Sequence, residues 1–199
     1  MNKLKRWGLS SLGVLVLSMF FACTGGGKSS QEVESQDSTQ MENSPEVEVR
    51  ASPKMTAEGK AGEVSVVVNY GAPSVKGRTI WGGLEAYGKV WRTGANEATT
   101  IAFSDTVEVA GKQVPAGTYA LFTIPTEGEW TVILNSVANQ WGAYDYDAAK
   151  DVLRFNVQPS MENELVEVLQ FTVTSAADNT AEVTLMWEKM KLSFPVKAL

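Results

Sequence analysis

The chain of 199 residues contains no histidine and a single cysteine, Cys23. Without imidazole, neither a Ser-His-Asp nor a Cys-His nucleophile system can be assembled, and zinc sites built from His or Cys fall on the same count. One cysteine also excludes an intramolecular disulfide. Lys and Arg number 17 against 23 Asp and Glu, and no basic run or stripe crosses the chain. No nucleic-acid partner is therefore expected, because that interaction draws most of its affinity from clustered bases. Helical periodicity is scarce too: only Tyr146 to Val152 suggests a turn of helix. The apolar run Trp7 to Phe21 is about 15 residues, short of the roughly 20 that span a bilayer as a helix.

That run is preceded by Lys3, Lys5 and Arg6 and followed by Ala22 and Cys23, the order of an export signal over residues 1–22. Phe20-Phe21-Ala22-Cys23 resembles a bacterial lipobox, with Phe20 in place of the more usual leucine, and makes Cys23 the expected lipidation site. Acyl chains contribute about 0.8 kcal/mol per buried methylene, enough for two or three of them to hold a protein on a membrane. Residues 23–51 read as a disordered acidic tether: Glu32, Glu34, Asp37, Glu42, Glu46 and Glu48 are present and no aromatic residue is, so little apolar surface exists to offset the entropy of ordering. Thr24 to Gly27 carry no acid directly after Cys23, which points to an outer-membrane lipoprotein facing the periplasm. Residues 52–199 suffice for a single domain with its own core.

Within that domain alternation dominates. Val64, Val66, Val68 and Tyr70 share one face of a strand, and the same period of two recurs at Thr99-Ile101-Phe103, Tyr119-Leu121-Thr123, Trp130-Val132-Leu134, Leu153-Phe155-Val157, Leu169-Phe171-Val173, Val183-Leu185-Trp187 and Leu192-Phe194-Val196. Ala110-Gly111-Lys112 reads as a short hairpin loop and Val114-Pro115-Ala116-Gly117 as a type I turn. Roughly nine or ten short strands predict an all-β fold, a two-sheet antiparallel β-sandwich of jelly-roll or immunoglobulin-like kind.

Polar chemistry interrupts this pattern in YGKVWRTGANEATTIAF, Tyr87 to Phe103. A hairpin closed by Thr93 to Asn96 would set Arg92 opposite Glu97 and Val90 opposite Thr99, leaving a charge pair at the rim of an apolar face. That pair is either a structural clip or, with Asn96, part of a polar pocket roofed by Trp81 or Trp91. Two carboxylates, Glu85 and Glu97, are the weak catalytic candidates, because glycoside cleavage needs a facing pair of acids. Asp145, Asp147 and Asp151 lack the spacing of an EF-hand loop. The segment Gln140 to Tyr146 concentrates Trp141, Tyr144 and Tyr146 between strands, either to cap the sandwich or to stack on a ligand.

The blocks SVKGRTIWGGLEAYGKVWRTGANEATTIAF, GKQVPAGTYALFTIP, EWTVILN, NQWGAYDYDAAKDVLRF and LMWEK resemble domain-of-unknown-function family 2911, found largely in envelope proteins of Bacteroidetes-type bacteria. The likeness runs over about Ser52 to Val196 and implies export and one β-rich domain. It carries no activity onto particular residues. The expectation is a lipid-anchored envelope protein, needing no cofactor, that binds a glycan or another envelope component through Trp81, Trp91, Arg92, Asn96, Glu97, Trp141 and Tyr144. The alternatives are a carboxylate-dependent glycan-cleaving enzyme, with Glu97 as acid or base tuned by Arg92, and a purely structural envelope protein.

Overall fold

Alternating side chains build ten strands across residues 50–199, the part of the chain that the computed structural model describes. They are β1 (Lys54–Ala61), β2 (Val64–Gly71), β3 (Thr100–Phe103), β4 (Val107–Val109), β5 (Lys112–Val114), β6 (Gly117–Ile124), β7 (Trp130–Asn135), β8 (Asp151–Val157), β9 (Ser160–Ser175) and β10 (Thr180–Ala198). The only helical element among the described residues is a 3₁₀ turn, Ala148–Lys150, inside the stretch where one turn was expected. The export signal, Cys23 and all of the tether before Arg50 lie outside the described residues.

The strands form two antiparallel sheets, one ordered β1-β2-β3-β6-β7-β8 and the other β5-β4-β10-β9. The two-sheet sandwich read from the sequence is the fold observed. Period-two faces meet between the sheets: Val66, Val68, Ile101, Trp130, Val132 and Leu134 from the first pack with Val183, Leu185, Trp187 and Val196 from the second. Each such aliphatic or aromatic side chain removed from water contributes about 1.5–3 kcal/mol before entropy is counted. Four indoles gather inside this core. Trp81 lies edge-on to Trp91, Trp130 and Trp187 at centroid distances of 5.6, 4.7 and 5.7 Å, while Trp91 and Trp187 stack at 5.8 Å.

The type I′ hairpin joining β4 and β5 turns on Ala110 and Gly111, both at positive φ, with Val109 and Lys112 as the closing pair. One expectation from the sequence needs correction. Val183-Leu185-Trp187 and Leu192-Phe194-Val196 are not two strands but parts of the single strand β10. Glu188, at φ 57° and paired with Val166, sits between two register shifts in which β9 and not β10 carries the extra residues. It shifts the buried face from the odd positions up to Trp187 to the even positions from Met190 onward.

A second, smaller core lies on the outer face of the six-stranded sheet. Ala120, Phe122 and Ile133 point away from the other sheet and are covered by Ala98, Val90, Ala143 and Tyr146. Tyr146 meets Phe122 edge to face at 5.1 Å. The connection between β7 and β8 is thus folded down onto the sheet, and this is what raises one wall of the candidate site.

Candidate functional site

The stretch from Trp91 to Thr99 is not a hairpin. Trp91 exchanges both backbone hydrogen bonds with Thr123, and Thr99 O accepts from Leu121 N, so the two ends lie one after the other along β6. Residues 93–98 loop out of that line and return to it. Thr99 N donates to Arg92 O at 3.1 Å, Thr99 Oγ1 donates to Thr93 O at 2.9 Å, and Trp91 Nε1 donates to Gly94 O at 3.2 Å. Thr93 and Asn96 take positive φ to make the excursion. The loop rests on the end of β2: Ala95 N donates to Gly71 O, and a Cβ on Gly71 would come within 2.1 Å of Ala95 O. Only glycine allows that approach.

The loop is then zipped to the β7–β8 connection. Gly142 N donates to Asn96 O and Ala98 N to Gln140 O, so Glu97 faces Trp141 as a one-pair bridge. The connection itself is held by a partly buried polar cluster. Asn135, fully buried, donates to Asp151 Oδ1 at 2.8 Å and to Asp147 O at 3.0 Å, and its own carbonyl accepts from Val137 N. Tyr146 Oη donates to Asp151 Oδ2 at 2.7 Å, while Arg154 donates to both groups. Burial first, then the Asp151 carboxylate, pushes the Tyr146 phenol up to about 12. Asp147 caps the 3₁₀ turn by accepting from Ala149 N.

Between this connection and β1 the outer face of the sheet is left open, forming a groove of about 620 Å³. Its floor is a cross-strand row. Thr56 on β1 pairs in register with Asn69 on β2, and Asn69 with Thr100 on β3. These positions alternate with the buried Ala57, Val68 and Tyr70, so their side chains stand on the outer face. Thr56 Oγ1 donates to Asn69 Oδ1 at 2.8 Å. One wall is Ala138 to Trp141, with the Trp141 side chain 56% exposed, and Met55, Lys54 and Glu97 complete the lining. A smaller recess of about 250 Å³, lined by Arg50, Ala51, Ser52 and Asn96, shares Trp141 with it.

Charge collects at one end. Arg50 Nη1 donates to Glu97 Oε1 and Oε2 at 2.8 and 3.0 Å, and Lys54 Nζ reaches Glu97 Oε1 at 2.9 Å. Those hydrogen bonds, Arg50 first and Lys54 second, hold the Glu97 carboxyl down at about 2. Asn96 Nδ2 meanwhile donates to Ser52 O. The ordered contacts thus reach back to Arg50, two residues before Ser52.

Of the residues singled out in the sequence, Asn96, Glu97 and Trp141 are brought together at the two recesses. The pairing of Glu97 with Arg92 does not occur, because the looped-out path directs Glu97 to Arg50 and Lys54. Arg92 instead lies beside Gly142, its Nε buried without an acceptor among the described residues. Trp91 is buried and Trp81 half-buried in the indole cluster between the sheets, so neither roofs a polar pocket. Tyr144 stands 82% exposed on the β7–β8 connection. Glu85 has its own surroundings: burial pushes its carboxyl up to about 7 against the opposing pull of Arg92 and then Arg78. Asp147 and Asp151 are occupied by the capping and network contacts above, and no group of three or more acidic, His or Cys side chains suited to a metal occurs among the described residues. Lys54, Thr56, Asn69, Thr100 and Gln140 were not singled out from sequence. The detectable signal was weak: polar residues at the outward positions of EVSVVVNY and TTIAF.

No curated protein and no solved structure matches the chain. The family described as "Protein of unknown function (DUF2911)" matches residues 52–196, almost the whole of the sandwich and every residue of the groove. The chain belongs to that family.

Proposed function

We propose that the sandwich is a binding module and that the groove over β1, β2 and β3 takes a glycan of the cell envelope. The observation that carries this reading is the pairing of an exposed indole with a polar floor: Trp141 stands 56% exposed above the row Thr56-Asn69-Thr100. A sugar ring offers an apolar face for stacking and hydroxyls for hydrogen bonds, the two surfaces this groove presents. Strands lie about 4.8 Å apart, so the three-strand row extends about 10 Å. Acid–base cleavage is less well supported, since a carboxyl held at about 2 makes a poor proton acceptor near neutral pH.

Calorimetric titration of the purified protein with envelope polysaccharides tests the reading. Binding weakened about tenfold or more by Trp141→Ala is expected. Absence of binding, or unchanged affinity in the variant, overturns it.

The same proposal places the module on a membrane through acylated Cys23, most simply the outer membrane on its periplasmic side, with residues 23–51 as the tether. The support is the order of basic, apolar and small residues before Cys23. Cys23→Ser is expected to release the protein from the membrane fraction, and mass spectrometry of the native chain should find diacylglycerol on Cys23. An unmodified membrane-bound Cys23 speaks against it.

A further inference from the structure

One end of the groove sets a cation beside an unused amide donor, which narrows its ligand. Asn69 Oδ1 already accepts from Thr56 Oγ1, which turns the Asn69 amide NH₂ outward as a donor over the floor. Among the described residues that NH₂ has no partner within the protein, and the Thr100 hydroxyl has none either. At the adjoining end stands the Lys54 ammonium, on a side chain 65% exposed. It has three N–H donors and one protein contact, Glu97 Oε1. Glu97 does not depend on that contact, because Arg50 holds both of its oxygens. Lys54 can therefore turn from Glu97 to a ligand without leaving a carboxylate unpaired.

This arrangement runs against the rest of the chain, which carries more acids than bases. Within the groove lining, Glu97 is the only acidic residue and it is already neutralised. A neutral sugar would use donors and acceptors in about equal measure. Here an unused amide donor stands beside a cation at one end, the Thr100 hydroxyl can donate or accept, and Gln140 Oε1 is left without a donor among the described residues. That suits a ligand bringing an anion to that end and hydroxyls to the rest.

Resting on the glycan reading above, we infer that the groove selects acidic saccharides, with a uronic-acid carboxylate seated on Lys54 and Asn69 while a neighbouring ring stacks on Trp141. The test uses oligogalacturonide, alginate and hyaluronan oligomers, each beside its carboxyl-reduced neutral counterpart of identical linkage. Titration into the purified protein is expected to favour at least one acid-bearing oligomer over its reduced partner by about tenfold, a preference that shrinks as salt is raised. Lys54→Gln should abolish the preference, and Asn69→Asp should invert it. Equal binding of acidic and reduced partners overturns the inference and leaves the glycan reading standing. Binding of reduced partners alone does the same, and binding of neither overturns both. A preference that survives Lys54→Gln and Asn69→Asp removes the assignment to these residues.

Discussion

Glu97 and Glu85 bear the same carboxyl, yet one is held at about 2 and the other pushed up to about 7. The difference follows from what each touches: two bases donate directly to Glu97, whereas Glu85 is taken out of water with no hydrogen bond to its carboxyl among the described residues. Their linkage to stability has opposite sign. Glu97 binds fewer protons folded than unfolded between its ordinary value of 4.5 and about 2, so its contribution is complete above that window and lost as pH falls through it. The pair is partly exposed, which limits the contribution to about 1 kcal/mol or less. Urea unfolding of Glu97→Gln should show a slightly lower stability at pH 7 and a shallower acid limb. Glu85 binds more protons folded than unfolded between 4.5 and about 7, so stability declines as pH rises across that interval and then levels. Glu85→Gln is expected to gain about 1–2 kcal/mol at pH 8, after discounting for partial exposure, and none at pH 4. A variant equally stable or weaker at pH 8 would show that Arg92 and Arg78 outweigh the desolvation.

At the level of elements, the groove's wall is a connection with little regular structure of its own, held by side chains. Asn135 and Asp151 tie its two ends together, and Tyr146 and Ala143 press it onto Phe122. Asn135→Ala leaves the buried Asp151 carboxylate short of a donor and should cost about 2–4 kcal/mol. Hydrogen exchange should quicken at Gly142 N and Ala98 N, whose acceptors lie across the zipped pair of loops, before it quickens in β6. Gly71→Ala is harsher, because backbone and not a movable side chain opposes the new Cβ. A loss of more than about 3 kcal/mol is expected in denaturant titration. The faces of β2, β3, β6, β7 and the two halves of β10 were legible in the sequence, since burial on one side imposes a period of two. Strand β1 was not, because Lys54–Ala61 buries only Ala57 and Ala61. The site was half legible: Glu97 and Trp141 stood out as a charge and an indole in turn-rich segments. Their partners did not, because Arg50 is 47 residues from Glu97 and a loop excursion inside one strand line has the same local sequence as a hairpin.

Across the described residues, stability comes mainly from sheet-on-sheet burial, with no disulfide to help it. Cys23 is the only thiol, so thermal unfolding should be a single transition, identical with and without reductant. Long-range pairings dominate, from β2 against β3 to β10 against β4. Refolding on the millisecond-to-second scale is expected by stopped-flow mixing, and microsecond refolding would contradict this topology. The indole arrangement has a further, optical consequence. Trp81, Trp91 and Trp130 lie within 4.7 to 6.5 Å of one another, and Trp187 within 5.8 Å of both Trp81 and Trp91, close enough to share excitation as one largely shielded chromophore. Trp141, apart from them, faces water at the groove. In a chain that begins at Cys23 and so lacks Trp7, an aqueous quencher should therefore silence the emission of Trp141 and act far less on the interior four, giving separate optical signals for an occupied groove and for an intact sandwich.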